Sequence, residues 1–219
     1  RYSFKFFEIS NKYALRQVQQ FNFIDGKDNE KSIIGSITPK VTLSFLDQRF
    51  NPDNGIRLSG EFEFANPDFG SQEQVNFLKP IYRFGWIKTF SNIFTFSQKS
   101  SVGAIDSKTS IARIPPISRF RLGGASTMRG FESDEISIEN SQSENYTYLS
   151  NLEKVRDMRF FLVRNDLTYW VFSSFGIGAF ADFGNVFLGK RFDRTQTPRP
   201  KAGFAREGVG GALKISTPI

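Results

Sequence analysis

The sequence has no cysteine and no histidine among its 219 residues. The first absence excludes a disulfide scaffold and a Cys-ligated metal site. The second removes the commonest general base and metal ligand. A Ser-His-Asp hydrolase cannot be built from these residues, and neither an enzyme nor a bound cofactor is expected. Methionine and tryptophan are scarce, with two of each. No run of about 18 apolar residues occurs, so no transmembrane helix is encoded. The opening Arg1-Tyr2-Ser3-Phe4-Lys5 is not followed by the apolar segment of a signal peptide. No glycine-rich P-loop pattern for nucleotide binding is present.

Phenylalanine, by contrast, is abundant, at 26 residues, and an excess of aromatic residues favours strands. The net charge is +7. Its cations are scattered along the chain, whereas a nucleic-acid binder concentrates them, so nucleic acid is not an expected partner. A dispersed basic balance suits anionic lipid or the polar lining of a pore.

Period-2 alternation dominates. Ile56, Leu58, Gly60, Phe62 and Phe64 share one face, and Arg57, Ser59, Glu61 and Glu63 share the other. Phe161, Val163, Leu167, Tyr169 and Val171 oppose Arg164, Asp166 and Thr168; Val209, Leu213 and Ile215 oppose Gly210, Lys214 and Ser216. The pattern predicts nine strands, near 1–9, 13–24, 37–47, 56–65, 75–87, 93–104, 158–171, 175–187 and 204–216. A change of phase near Pro80 predicts a bulge. Many of these strands are longer than the five or six residues usual in soluble sheets, and a tilted β-strand of about 9–11 residues crosses a membrane. The predicted connections largely alternate between short and long, the longest being 105–157. Tight periplasmic turns and longer extracellular loops alternate in this way in outer-membrane barrels. A soluble barrel would need only a small apolar interior. Here one face is apolar and the other carries Arg, Glu, Lys and Asp, which fits lipid outside and water inside. The fold class expected is therefore all-β, a transmembrane antiparallel β-barrel. Single-chain bacterial barrels have even strand counts and an open sheet edge cannot face hydrocarbon, so residues 1–219 are expected to be part of a larger barrel.

Two stretches carry the chemistry. Met128-Arg129-Gly130-Phe131 lies in the long loop, after Phe120-Arg121-Leu122-Gly123-Gly124-Ala125-Ser126-Thr127. Phe180-Ala181-Asp182-Phe183-Gly184 lies in the eighth strand, with Asp182 in phase with Gly178, Phe180 and Gly184 and opposite Phe175, Ile177, Ala179, Ala181 and Phe183. If the latter face meets lipid, Asp182 points into the lumen, where an ionised carboxylate needs water or a cation. Arg129 is one candidate, because guanidinium and carboxylate match as a bidentate pair. A solvated Arg129, with Asp182 held by a cation on a neighbouring strand, is the other. Arg57, Glu61, Glu63, Arg164, Asp166 and Lys214 read as polar residues that hydrate the lumen. Tyr82, Trp86, Tyr169 and Trp170 read as interface aromatics. Lys190, Arg191, Arg194, Arg199 and Lys201 read as solvated loop charge, with lipopolysaccharide phosphate as a further partner.

These stretches resemble the paired signatures of the BamA/TamA-type outer-membrane protein assembly superfamily: an aliphatic-Arg-Gly-aromatic tetrapeptide in a long sixth extracellular loop, and F-x-D-x-G in a later strand. Met128 stands where a branched aliphatic is usual. The turn Asp47-Gln48-Arg49-Phe50-Asn51-Pro52 with Gly55 is similar to the family's D-x-R-x-x-P-x-x-G, and Gly208 to Pro218 resembles a strand ending in Ser-Pro. The resemblance implies a 16-stranded barrel preceded by periplasmic POTRA domains. This chain would cover about strands six to fourteen of it, without POTRA domains. The 105–157 loop would fold inward, with Arg129 bound to Asp182. Charge reversal at either position would then impair the barrel, and the double exchange Arg129→Asp with Asp182→Arg would partly rescue it.

The implied function is an assembly factor of the Gram-negative outer membrane that folds and inserts β-barrel proteins by strand pairing at a seam lying outside this chain. The implied partners are unfolded β-barrel clients, periplasmic or lipoprotein accessory subunits, and outer-membrane lipids including lipopolysaccharide. A two-partner-secretion-type translocation pore of the same superfamily is the alternative, followed by a passive porin and a barrel enzyme.

Overall fold

Alternation of apolar and polar residues gives one antiparallel sheet in the computed structural model, which describes residues 2–3, 6–19, 31–48, 50–138, 155–172, 174–188 and 205–215. Nine strands pair in sequence order: β1 Tyr2–Ser3, β2 Phe7–Gln19, β3 Lys31–Leu46, β4 Asn54–Ala65, β5 Phe77–Phe90, β6 Phe94–Ser107, β7 Asp157–Phe172, β8 Phe175–Leu188 and β9 Arg206–Ile215. All but β1 have between 10 and 16 residues, enough to cross the hydrocarbon of a bilayer as tilted strands. Among the described residues no helix is long and apolar enough to cross a membrane, which leaves strands free to do so.

The first two strands differ from expectation. No turn occurs at 10–12: β2 runs through it, with Ser10 paired to Lys40, Asn11 to Pro39 and Lys12 to Thr38. The polar run imitates a turn because Ser10 and Lys12 belong to the polar face. The predicted bulge at Pro80 is also absent, since β4 and β5 keep one register from Asn54↔Lys88 to Ala65↔Phe77. The apparent change of phase comes from Phe77 and Ile81, apolar residues on the inner face that pack against the long loop.

The bulge lies elsewhere. Phe172 pairs with Phe175 at the tight β7–β8 turn, whereas Trp170 pairs with Gly176, a shift of one residue. A one-residue slip moves every side chain to the opposite face. Without the shift, the residues of β7 in phase with Arg164 and Asp166 would oppose the Asp182 face of β8. With it, Arg164 stands beside Asp182 and Asp166 beside Phe180.

The outward face carries exposed large apolar side chains from β2 to β9, among them Leu15, Phe45, Ile56, Tyr82, Trp86, Leu167, Ile177 and Leu213. A band of this breadth on an isolated surface marks contact with an apolar phase. Tyr82 sits mid-strand rather than near a strand end, edge-on to Phe62. Trp170 faces inward and donates its Nε1–H to Thr95 Oγ1 at 2.9 Å, so it is not an interface residue. The inner face is polar, with the pairs Arg16–Glu63 and Arg83–Glu61. At the end where β4 and β6 finish and β5 and β7 begin, however, it is apolar. There Phe77, Ile105, Met158, Phe160 and Val186 bury themselves against Ile111, Ile114, Phe120, Leu122, Met128 and Ile136 of the β6–β7 connection. The buried core thus lies between sheet and loop.

The β3–β4 turn is built around Asp47. Its carboxylate accepts from the backbone N–H groups of Gln48 (2.8 Å), Asp53 (3.1 Å) and Asn54 (3.0 Å). Asn51 takes φ 47° and Gly55 φ 138°. A Cβ on Gly55 would lie 2.2 Å from the Phe45 carbonyl oxygen, so glycine is required. Arg49 lies outside the described residues, as do Lys190, Arg191, Arg194, Arg199, Lys201 and the Ser216–Pro218 tail.

Candidate functional site

The tip of the long loop folds on itself before it meets the sheet. Leu122 and Ile136 form an antiparallel bridge. Thr127 Oγ1 accepts from Gly123 N–H at 2.8 Å and donates to Gly123 O at 2.6 Å, and Gly124 N–H donates to Phe131 O at 2.9 Å. Gly123 and Gly124 take φ 123° and 83°, and a Cβ on Gly123 would stand 2.1 Å from Glu132 O. The Gly-Gly-x-x-Thr approach is thus the local chemistry that closes the tip.

The tip then lies across the inner face. Lys79 of β5 donates to Ser118 O at 2.7 Å, and Phe120 meets Phe160 of β7 with ring centroids 4.4 Å apart. Arg164 of β7 grips the tip backbone, donating to Ser126 O at 2.8 Å and Ala125 O at 3.2 Å. Met128 is fully buried, a burial that stabilises by about 1.5–3 kcal/mol. This is why an apolar residue precedes the arginine.

Arg129 and Asp182 are brought together. The guanidinium is bidentate, with Nε 2.8 Å from Oδ2 and Nη2 2.6 Å from Oδ1, and the Arg129 backbone N–H adds a bond of 3.0 Å to Oδ2. Asp182 is completely buried. A carboxylate so placed is stable only if paired, and here three N–H groups of one residue satisfy it. The same guanidinium donates through Nη1 to Asp166 at 2.7 Å and lies over the Phe180 ring, 4.0 Å from its centroid. Around this core, Arg164 Nε stands 3.7 Å from Asp182 and Lys214 Nζ 3.7 Å from Asp166. Three cations and two carboxylates therefore interlock.

The glycines supply the close approaches. Gly130 takes φ 89°. A Cβ on Gly208 of β9 would lie 1.9 Å from Arg129 O, and one on Gly210 would meet the Phe180 ring at 2.7 Å. The loop backbone thus rests on bare strand at Gly208, and Phe180 lies flat over Gly210 to form the platform for Arg129. Phe131 packs partly buried beside Gly208. Gly184 gives the same clearance next to Leu122, whose Cδ1 would be 3.2 Å from an added Cβ.

Of the residues read from sequence, Met128, Arg129, Gly130, Phe131, Phe180, Asp182 and Gly184 all lie at this contact. Arg164, Asp166 and Lys214 were expected only to hydrate the lumen, and the structure places them in the ion cluster. Gly208 and Gly210 were read as part of a strand ending. Their in-phase spacing opposite Asp182 and Phe180 is the signal for their role.

An outward apolar band, an inner polar face and a loop packed against that face define the wall of an outer-membrane type of transmembrane β-barrel. Over residues 2–219 the sequence matches the Omp85 superfamily domain, and the chain belongs to that superfamily of outer-membrane β-barrels concerned with protein insertion and translocation. No curated protein matches the chain.

Proposed function

We propose that this protein is an assembly factor of the Gram-negative outer membrane that folds and inserts β-barrel proteins, with the Arg129–Asp182 contact as the latch that holds the long loop inside the barrel. Membership of the Omp85 superfamily supports the class of activity. The observation that carries the latch is the bidentate pairing of Arg129 with a completely buried Asp182. Such a group costs several kcal/mol if left alone, so the loop and the sheet hold each other in place. The partners in this reading are unfolded β-barrel clients, accessory subunits of the periplasm or anchored lipoproteins, and the surrounding lipids. The work comes from the folding free energy of the client.

Depletion of the protein followed by quantification of other outer-membrane barrels tests the reading. A general fall in folded barrels supports it, and unchanged barrel levels sink it. A translocation pore of the same superfamily is the second reading. It is favoured by the exposed cations Lys12, Arg57 and Lys99 of the inner strand faces, which would wet a passage for an extended chain. Under that reading, depletion removes one secreted substrate and leaves the other barrels intact.

A further inference from the structure

Where the loop core does not cover it, the inner face of β2 to β6 is open and basic. Lys12, Arg57 and Lys99 are exposed there and make no ion pair among the described residues. Lys40 and Arg83 share one carboxylate, Glu61, at 3.8 and 2.8 Å, and keep 40% and 42% of their side chains exposed. Glu63 is already held by Arg16, which leaves Glu8 as the other acid of these faces. The cationic surplus is greatest around Gly85. Arg57 and Lys99 are its register partners on either side, two strand spacings apart, roughly 9.6 Å. A Cβ on Gly85 would find nothing nearer than Arg57 itself, at 3.9 Å, so the wall between the two cations is bare. Arg83 stands two residues along β5 on the same face. Lys99 also lies opposite Arg164. Like charges placed so are unfavourable, and Arg164 is engaged with Asp182 and the loop tip, which leaves the charge of Lys99 directed at the lumen.

We infer that this stretch of wall makes the lumen selective for small inorganic anions, with Arg57 and Lys99, on either side of Gly85, as the pair that acts most strongly. Exposed cations of this kind hold a single ion weakly, because water and salt screen them. Weak attraction is what passage needs, since an ion must be drawn in and then released. The cations follow one another from Lys99 on β6 to Lys12 on β2, so an anion released by one meets the next. The size of the effect follows from Coulomb's law. A unit charge about 7 Å away in water acts on an ion by roughly RT, and salt at about 0.1 M reduces this to about half. Anions are enriched and cations depleted by the same factor. Arg57 and Lys99 together should therefore change the anion-to-cation permeability ratio roughly fivefold. The inference needs only the lumenal orientation of this face, and it holds whether the protein inserts or translocates clients.

The test uses the full-length protein in planar bilayers of phosphatidylcholine, which carries no net charge. A KCl gradient is set at about 0.1 M, where the screening length is about 10 Å, and the reversal potential gives the anion-to-cation ratio. The parent is expected to prefer chloride, and Arg57→Gln with Lys99→Gln to lower the ratio roughly fivefold. Glu61→Gln is expected to shift it the other way, because it removes the carboxylate between Lys40 and Arg83. Lys88→Gln removes a cation from the outward face of β5, opposite Phe96, and is expected to keep the parent's ratio. Near 1 M salt, where the screening length is about 3 Å, the parent's preference is expected to fade. A parent that carries no current, or that prefers potassium, overturns the inference. So does equal selectivity in the parent and the double variant, or a shift in Lys88→Gln as large as in the double variant. A preference that persists at the higher salt also overturns it, since pore width and not charge would then be the cause. Client assembly in cells is measured separately by depletion, so failure of anion selectivity and failure of the proposed function remain distinguishable.

Discussion

Removing the Arg129 side chain is the most direct test of the loop contact. In Arg129→Ala, Asp182 keeps its backbone bond from residue 129 but loses both guanidinium donors, at 2.6 and 2.8 Å. Stranding one member of a buried ion pair costs about 3–5 kcal/mol. Arg164 Nε, 3.7 Å away, is placed to take up part of the charge, and Lys214 does the same for Asp166. The lower end, about 3 kcal/mol, is therefore expected, which is roughly a hundredfold shift in the ratio of docked to released loop. The chain has no cysteine, so a single introduced thiol reports without background. Ser137 is buried in the loop, at 2% exposure, and Ser137→Cys is nearly isosteric. Its labelling by an impermeant maleimide should accelerate about a hundredfold when Arg129→Ala is added, because labelling follows the population of the open form. Arg129→Lys should fall between, since a lysine keeps the charge and loses the planar fork. Labelling unchanged in Arg129→Ala would mean that Met128, Leu122 and Phe120 hold the loop without the ions. The structure also revises the expected rescue by charge exchange. Arg129→Asp with Asp182→Arg would set the new carboxylate against Asp166 and the new guanidinium against Arg164, so the double variant should label at least as fast as Arg129→Ala.

Gly208→Ala should release the loop without touching an ion, because its Cβ would lie 1.9 Å from Arg129 O; the same thiol assay reads it, and parental labelling would refute the close approach. Met128→Ala leaves a cavity in the loop core and should cost about 2–5 kcal/mol, read as a lower unfolding temperature of the detergent-solubilised barrel. The β3–β4 turn should be pH-dependent. Desolvation pushes the Asp47 carboxyl up, but the hydrogen bonds from Asn54, Gln48 and Asp53 outweigh it and hold the group below its ordinary value. A depressed folded pKa gives stability that is present above about pH 4 and lost as pH falls through the folded value. Amide exchange at Gln48, Asp53 and Asn54 should therefore lose protection on acidification below about pH 4, and Asp47→Asn should abolish that dependence.

The faces of β4, β7, β8 and β9 could be read from period-2 alternation, because lipid on one side and a polar lumen on the other enforce it over many residues. The Asp47–Gly55 turn was legible for a local reason: its aspartate, its Asn51 and its glycine each perform a conformational task that few other residues can. Asp166 was not legible in the same way. In phase it is one more polar residue of β7, and its role depends on which row of β8 it meets. That register is set by the shift between Trp170 and Phe172, and nothing in the composition of that stretch announces it. Counted without the shift from the Phe172–Phe175 pair, the hairpin puts Asp166 opposite Ala181, on the side away from Asp182. Apolar phasing alone places Asp182 inward, yet only the bulge reconciles this with Arg164 and Asp166 on the same face. The ion cluster thus depends on a backbone irregularity about five residues from the nearest charge. Replacing both β7 charges, Arg164→Gln with Asp166→Asn, tests what this register contributes while leaving Arg129 and Asp182 in place. If the loop of that variant still shields a thiol at position 137 as the parent does, the two β7 charges are not what completes the contact, and Arg129 with Asp182 suffices.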